Sequence, residues 1–291
     1  MDELAPGEQF AGYVIQHVLG RGGMGIVYQA YKPGSKHSVA LKIMNPDFSG
    51  DPEYRHRFIR EARLMGSLHH PNILPIYDSG EVNDMLYLVI GLARGLSLAD
   101  IMERRHYTPM SIVPIIDGIA SALDYVHEHG IIHRDIKPGN ILIDFTHNSH
   151  PYLADFGLGR ASDSSTLTEA GISVGTPDYM APEQVLGQEL NGAVDIYSLG
   201  VVVYELLLGR LPFYGRRPQD VAFQHVDDQP PKPTALHKAF PRSLESIILK
   251  ALAKKPGDRQ RTANIFAKDY KAALARLREP ARTADYWVSA P

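Results

Sequence analysis

The chain has 291 residues, 44% of them apolar and 22% charged, with a net charge of −3 and no cysteine. That is an ordinary globular composition, long enough for one large domain or two modest ones. It excludes disulfides and cysteine-ligated zinc, and it lacks the basic stripe expected of a nucleic-acid binder. The opening Met1-Asp2-Glu3-Leu4-Ala5-Pro6-Gly7 is acidic and polar, unlike a secretory signal. The longest apolar run, 199–208, contains Glu205 and falls far short of the ~20 residues that span a bilayer. The expectation is a cytoplasmic chain with no membrane contact and no nucleic-acid partner of its own.

Tyr13-Val14-Ile15 and Ile26-Val27-Tyr28 read as strands on either side of a glycine cluster, and Val39-Ala40-Leu41-Lys42-Ile43 as a third. Asp51-Pro52 opens a helix whose apolar Tyr54, Phe58, Ala62, Met65 and Leu68 recur at three- and four-residue steps. Residues 73–77 and 86–90 are two further short strands, which predicts a five-strand, one-helix unit ending near residue 91. Beyond it the pattern is helical. Residues 112–128 are amphipathic, with Ile115, Ile116, Ile119, Leu123 and Val126 on one face. Residues 194–208 are apolar nearly all round, as for a helix buried in a core. Further helices are predicted at 218–225, 243–253 and 263–277. Residues 157–182, rich in Ser, Thr and Gly without periodicity, read as a long functional loop. The Pro/Ala-rich tail from Glu279 is expected to fray, with Trp287 as its only large anchor.

Gly20-Arg21-Gly22-Gly23-Met24-Gly25 contains the pattern G-x-G-x-x-G. In a dinucleotide-binding fold a helix must follow the glycines, so that its N-terminus can hold pyrophosphate. Here the β-branched and aromatic Ile26-Val27-Tyr28 prefers strand, which points to a hairpin whose backbone closes over phosphates. Glu61 stands three residues after Phe58 and four before Met65, on or beside the apolar face of its helix. An acid there faces desolvation unless a cation meets it. The densest chemistry is Ile132-His133-Arg134-Asp135-Ile136-Lys137-Pro138-Gly139-Asn140, close to Asp155-Phe156-Gly157. One acid can orient a hydroxyl nucleophile, while the amide and the second acid can hold a divalent metal against a polyphosphate.

Taken in order, these motifs resemble the Ser/Thr protein kinase domain, and the form Lys-Pro-Gly-Asn suggests a bacterial-type member. The resemblance implies an α+β, two-lobed fold. A small antiparallel β-sheet N-lobe with one regulatory helix would occupy 10–91, a mainly helical C-lobe 92–278, and a tail or linker 279–291. It implies ATP as cofactor together with Mg²⁺, or Mn²⁺ in its place. Leu19, Gly20, Arg21, Gly22, Gly23, Met24 and Gly25 would cover the nucleotide, and Val27, Ala40 and Leu142 would sandwich the adenine. The backbone of Gly91, Leu92 and Ala93 would bond the adenine edge, with Ile90 guarding the back of the pocket. The family usually carries a larger residue where Gly91 stands, which implies altered hinge flexibility.

By the same resemblance Lys42, paired with Glu61, would contact the α- and β-phosphates. Asp135 would orient the substrate hydroxyl and accept its proton, and Lys137 would neutralise the transferring phosphoryl group. Asn140 and Asp155 would ligate the metal. His133 would pack with Phe156, Met65 and Ile76 in an apolar column rather than act as a base. Gly175-Thr176-Pro177-Asp178-Tyr179-Met180-Ala181-Pro182-Glu183 would receive a peptide, with Thr176 bonding Asp135 and Lys137. Glu183 would pair with Arg259, and Asp195 would hold the backbone of the catalytic loop.

Arg134 calls for an anion, which phosphorylated Thr166 or Thr168 would supply, Thr168 first. The implied partners are proteins with Ser or Thr acceptors, and bacterial relatives also form homodimers through the N-lobe. Many are held by a transmembrane helix after the kinase domain, so the chain also reads as the cytoplasmic part of a membrane-anchored receptor. Ser97 stands where some relatives carry an acid, which predicts no strong requirement for arginine upstream of the acceptor. Two rival readings are a nucleotide-binding scaffold without transfer activity and a kinase of small molecules. The first would lack one of Lys42, Asp135, Asn140 and Asp155, and the second the apparatus of Thr176, Glu183 and Arg259; all are present.

Overall fold

The computed structural model describes residues 3–46, 52–156 and 177–288. The chain divides into two compact units between Arg94 and Gly95. In the first unit, β1 (Gln9–Phe10), β2 (Tyr13–Gly22), β3 (Gly25–Tyr31), β4 (Ser38–Met44), β5 (Ile76–Val82) and β6 (Met85–Gly91) form one antiparallel sheet in the order β1-β2-β3-β4-β6-β5. The sheet has six strands where the sequence predicts five. The additional β1 is two residues long, too short for apolar alternation to reveal it.

Side-chain alternation along these strands sorts the first unit into two cores. Leu41, Ile43, Tyr87 and Val89 join Phe10, Tyr13, Ile15 and Tyr28 on one face. Met44, Leu86 and Leu88 meet Tyr54, Phe58 and Ala62 of α1 (Pro52–Gly66) on the other. Lys42, between Leu41 and Ile43 and opposite both Val27 and Leu88, is therefore placed on the face that α1 covers.

The second unit begins with β7 (Gly95–Ser97), which pairs with β8 (Ile141–Asp144) and through it with β9 (His150–Leu153). Its helices are α2 (Leu98–Met102), α3 (Val113–Glu128), α4 (Pro182–Val185), α5 (Ala193–Leu208), α6 (Pro218–Asp227), α7 (Pro233–Leu236), α8 (Arg242–Ala251), α9 (Ala263–Ala275) and α10 (Glu279–Thr283). Every residue of α5 except Ala193 and Glu205 is buried, as its all-round apolar pattern requires. Among the described residues no helix is long and apolar enough to cross a membrane.

The expectation of a frayed tail is overturned for residues 279–288. Residues after Glu279 form α10, and Tyr286 is only 2% exposed, its ring edge-on to His237 and Phe240. Trp287 stacks on His106 at 4.3 Å, and Val288 N–H donates to Leu208 O at 2.7 Å. Aromatic burial of this kind holds a segment whose five-residue helix is too short to be stable by itself.

Candidate active site

The run 132–140 links α3 to β8 entirely within the second unit. Two residues of the site adopt left-handed backbone, Arg134 at φ 65° and Asp155 at φ 52°. Such conformations cost non-glycine residues on the order of 1–3 kcal/mol and persist only where the surroundings hold them. Asp195, fully buried in the first turn of α5, supplies that hold for the first. Its carboxylate accepts from His133 N–H at 2.9 Å, from Arg134 N–H at 2.8 Å and from His127 Nε2 at 2.7 Å. Burial works to raise the Asp195 carboxyl, but the His127 hydrogen bond and charge, with the His133 ring and amide, bring it below the usual carboxylate range. His127 went unread in the sequence; it sits in the last turn of α3, six residues before His133.

His133 has no exposure. Its Nδ1 accepts from Asp135 N–H at 3.3 Å, so Nε2 carries the proton and donates to Ala154 O at 3.1 Å. Burial lowers its pKa against the pull of Asp195 and the other nearby acids, which keeps the ring neutral. Phe156 packs on it at 4.6 Å between ring centroids. Both ring nitrogens are engaged in holding the loop, which is the geometry of a packing residue and not of a proton acceptor for substrate.

Asp135, Lys137 and Asn140 converge. Lys137 Nζ lies 3.0 Å from Asp135 Oδ2, and Asn140 Nδ2 donates to the same oxygen at 2.9 Å and to Asp135 O at 2.7 Å. With both N–H groups of its amide turned to Asp135, Asn140 keeps its carbonyl oxygen for another partner. Asp155 is exposed and is joined to this loop through Ala154 N–H, which donates to Asn140 O at 2.9 Å. The donor set is thus one amide oxygen and one carboxylate, both hard. Among the described residues no group of three His, Asp or Glu side chains forms a cation cage. A pair of oxygen ligands suits an ion that completes its shell with phosphate and water, as Mg²⁺ does.

Around the loop stands a second network. Arg259 and Glu183, with side chains 0% and 3% exposed, meet in a two-pronged pair at 2.6 and 2.7 Å. The remaining guanidinium N–H groups donate to Ala193 O, Ala253 O and Lys254 O, so all five are satisfied. Gln184, also unread in the sequence, bonds Ala181 N–H through Oε1 and reaches Arg134 O through Nε2 at 3.0 Å. It ties the Ala-Pro-Glu segment to the loop at 132–140. The Tyr179 hydroxyl donates to Glu205 Oε2 at 2.6 Å, and Ser198 Oγ donates to Tyr179 O at 2.7 Å. Burial, opposed by that bond and helped by Asp178, pushes Glu205 up to about 7.

In the first unit, β2 and β3 form the glycine-rich hairpin carrying Leu19 to Val27, and no helix follows the glycines. Gly25 has φ 151°, and a Cβ there would fall 2.0 Å from Ile43 O, so only glycine fits. Met24 packs toward the core shared with α1, and its carbonyl accepts from Asn45 N–H at 2.9 Å. Ala40 pairs with Ile90 across β4 and β6. Gly91 explains its departure from larger residues: a Cβ would lie 2.9 Å from the Pro75 ring. Its N–H is taken by Pro75 O at 2.8 Å. Glu61 lies on α1 beside buried Ala62. Leu142 belongs to the second unit, on β8. Thr166, Thr168 and Thr176 lie outside the described residues.

Residues 13–271 match the protein kinase domain family. The chain is 39% identical over 270 residues to the serine/threonine-protein kinase PknH of Mycobacterium bovis, which covers 92% of this chain and 45% of PknH. It is 40% identical over 270 residues to the serine/threonine-protein kinase PrkC of Bacillus subtilis, covering 92% of this chain and 41% of that one. The chain therefore spans less than half the length of these two relatives. Among solved structures, the kinase domain of Mycobacterium tuberculosis PknI is similar, with a TM-score of 0.77 at 30% identity over 93% of this chain and 100% of that one.

Proposed function

This chain belongs to the protein kinase domain family, and from that premise we propose that it transfers the γ-phosphoryl group of ATP to serine and threonine hydroxyls of proteins. The observation that carries the reading is the convergence of Lys137 and Asn140 on one oxygen of Asp135, with Asp155 on the adjoining segment. In this reading Asp135 orients the acceptor hydroxyl and takes its proton, while Lys137 neutralises charge on the transferring group. Asn140 and Asp155 hold the divalent cation, which when bound stabilises the charge of the phosphate oxygens. Mg²⁺ is the cation of this reading, with Mn²⁺ able to take its place, since hard-oxygen ligands suit both. Lys42, on the face covered by α1, positions the phosphates, with Glu61 of that helix as its partner.

The Glu183–Arg259 pair and Gln184 brace the segment before α5, which supports a protein acceptor over a small molecule. Phosphorylation of Thr166 or Thr168, read by Arg134, is the proposed control. The test uses purified chain, γ-labelled ATP, Mg²⁺ and a protein acceptor. Phosphoserine or phosphothreonine should appear, stop on chelation, and be lost in Asp155→Asn. Undiminished label in Asp155→Asn, or none in the parent despite bound ATP, would overturn the reading.

A further inference from the structure

The outer face of the glycine-rich hairpin carries a contact that phosphoryl transfer does not use. In β2 and β3, Gly20 stands opposite Val27, Arg21 opposite Ile26 and Gly22 opposite Gly25. Directly opposed residues share a face. Arg21 therefore shares the face of Ile26, which packs on the core of Tyr28, Leu41 and Ile43. Val27 and Lys42, opposite one another, are on the other face. The Arg21 guanidinium thus points away from the side that carries Lys42. There its Nε and Nη2 donate to Glu3 Oε2 at 2.9 and 2.5 Å.

Glu3 is itself anchored. Leu4 packs on the same core, and its N–H donates to the hydroxyl of fully buried Tyr28 at 3.2 Å. Gly7 N–H donates to Ile15 O and Ile15 N–H to Glu8 O, both at 2.9 Å, before β1 pairs with β2. Residues 3–10 form a strap along the sheet, and at Glu3 it reaches the tip of the hairpin through one side chain.

We propose that Glu3 is a positioning residue that acts through Arg21 to hold the glycine-rich hairpin in place before nucleotide arrives, so that it sets nucleotide affinity and not the transfer rate. The inference rests on the proposed kinase function and on the nucleotide-covering role that family resemblance implies for the hairpin. A Cβ at Gly20, Gly22 or Gly23 would meet nothing within 4 Å, so packing does little to restrict the tip. Ordering so free a segment on binding weakens affinity, and a contact made beforehand removes part of that loss. The pair is exposed, 63% at Arg21 and 44% at Glu3. Exposed ion pairs of this kind correspond to an effect of about 1.4- to 5-fold on an equilibrium constant, reduced by salt.

The experiment measures equilibrium binding of ATP to the full chain and to Glu3→Gln, Arg21→Gln, the double variant and the exchanged pair Glu3→Arg/Arg21→Glu, at low and high salt. The proposal expects each single variant to weaken ATP by about 2- to 5-fold, the double variant to be no worse, and the exchanged pair to recover most of the loss. High salt should level parent and variants, and Glu3→Gln should raise KM for ATP with kcat unchanged. Additive losses, or a loss in Arg21→Gln with none in Glu3→Gln, would overturn it and assign the arginine to the nucleotide directly. Parent-like affinity in both single variants would overturn it too, while leaving the kinase reading intact. A parent chain that binds no ATP would sink that reading and the inference together.

Discussion

Behind the loop that carries Asp135 stands a buried carboxylate that accepts three hydrogen bonds; behind the tip of the glycine-rich hairpin stands one exposed ion pair. The loop carries a left-handed arginine and needs that backing: Asp195 satisfies the amides of His133 and Arg134, and His133 Nδ1 that of Asp135. His133 and Gln184 then fix the loop from two further directions. The hairpin has strand pairing and little else near Gly20, Gly22 and Gly23. Groups that must meet a reacting atom within tenths of an ångström are fixed by buried polar contacts, where water cannot compete. A segment that must admit and release a ligand is left near the low-stability end of the fold.

The comparison is broken most severely from the rigid side. Arg259→Ala leaves Glu183 buried without its partner and removes donors from three carbonyls. The expected loss is about 3–5 kcal/mol of stability, a fall in melting temperature on the order of 10 °C by calorimetry. A loss within experimental error would mean that this network does not brace the unit.

Acid should separate the two regions more gently. Burial holds His133 below its ordinary range and takes His225 down to about 3. For a histidine with a lowered folded pKa, the unfolded chain takes a proton that the folded chain refuses. Stability therefore falls as pH drops below about 6.5, by at most about 1.4 kcal/mol per pH unit for each histidine, and for His225 this continues to about 3. Glu205, raised from 4.5 to about 7, works in the opposite sense and gains stability as pH falls through that window. Glu205→Gln should therefore steepen the acid loss in denaturant titrations between pH 7 and pH 4.5. A flatter profile in that variant would contradict the assignment.

Much of this was legible in the sequence because the chemistry is local. Asp135, Lys137 and Asn140 lie within six residues, and their meeting needs one turn of backbone. Asp195 and the Glu183–Arg259 pair were reached through family resemblance, since no local pattern links residues 76 apart. His127 was missed because a histidine at a helix end gives no sign of a carboxylate 68 residues later. The docked tail was missed for the same reason: Pro and Ala read as linker, while the burial of Tyr286 depends on His237 and Phe240. Gly91 read as a departure, and its cause is the Pro75 ring sixteen positions earlier.

The most direct measurement is ATP affinity and transfer rate on the same preparations of the parent chain and Asp135→Asn. If Asp135 acts on the acceptor hydroxyl, the rate should fall by about 10²–10⁴-fold while ATP binds as before. Transfer that survives the substitution, or that disappears only because ATP no longer binds, would contradict the role given to this residue.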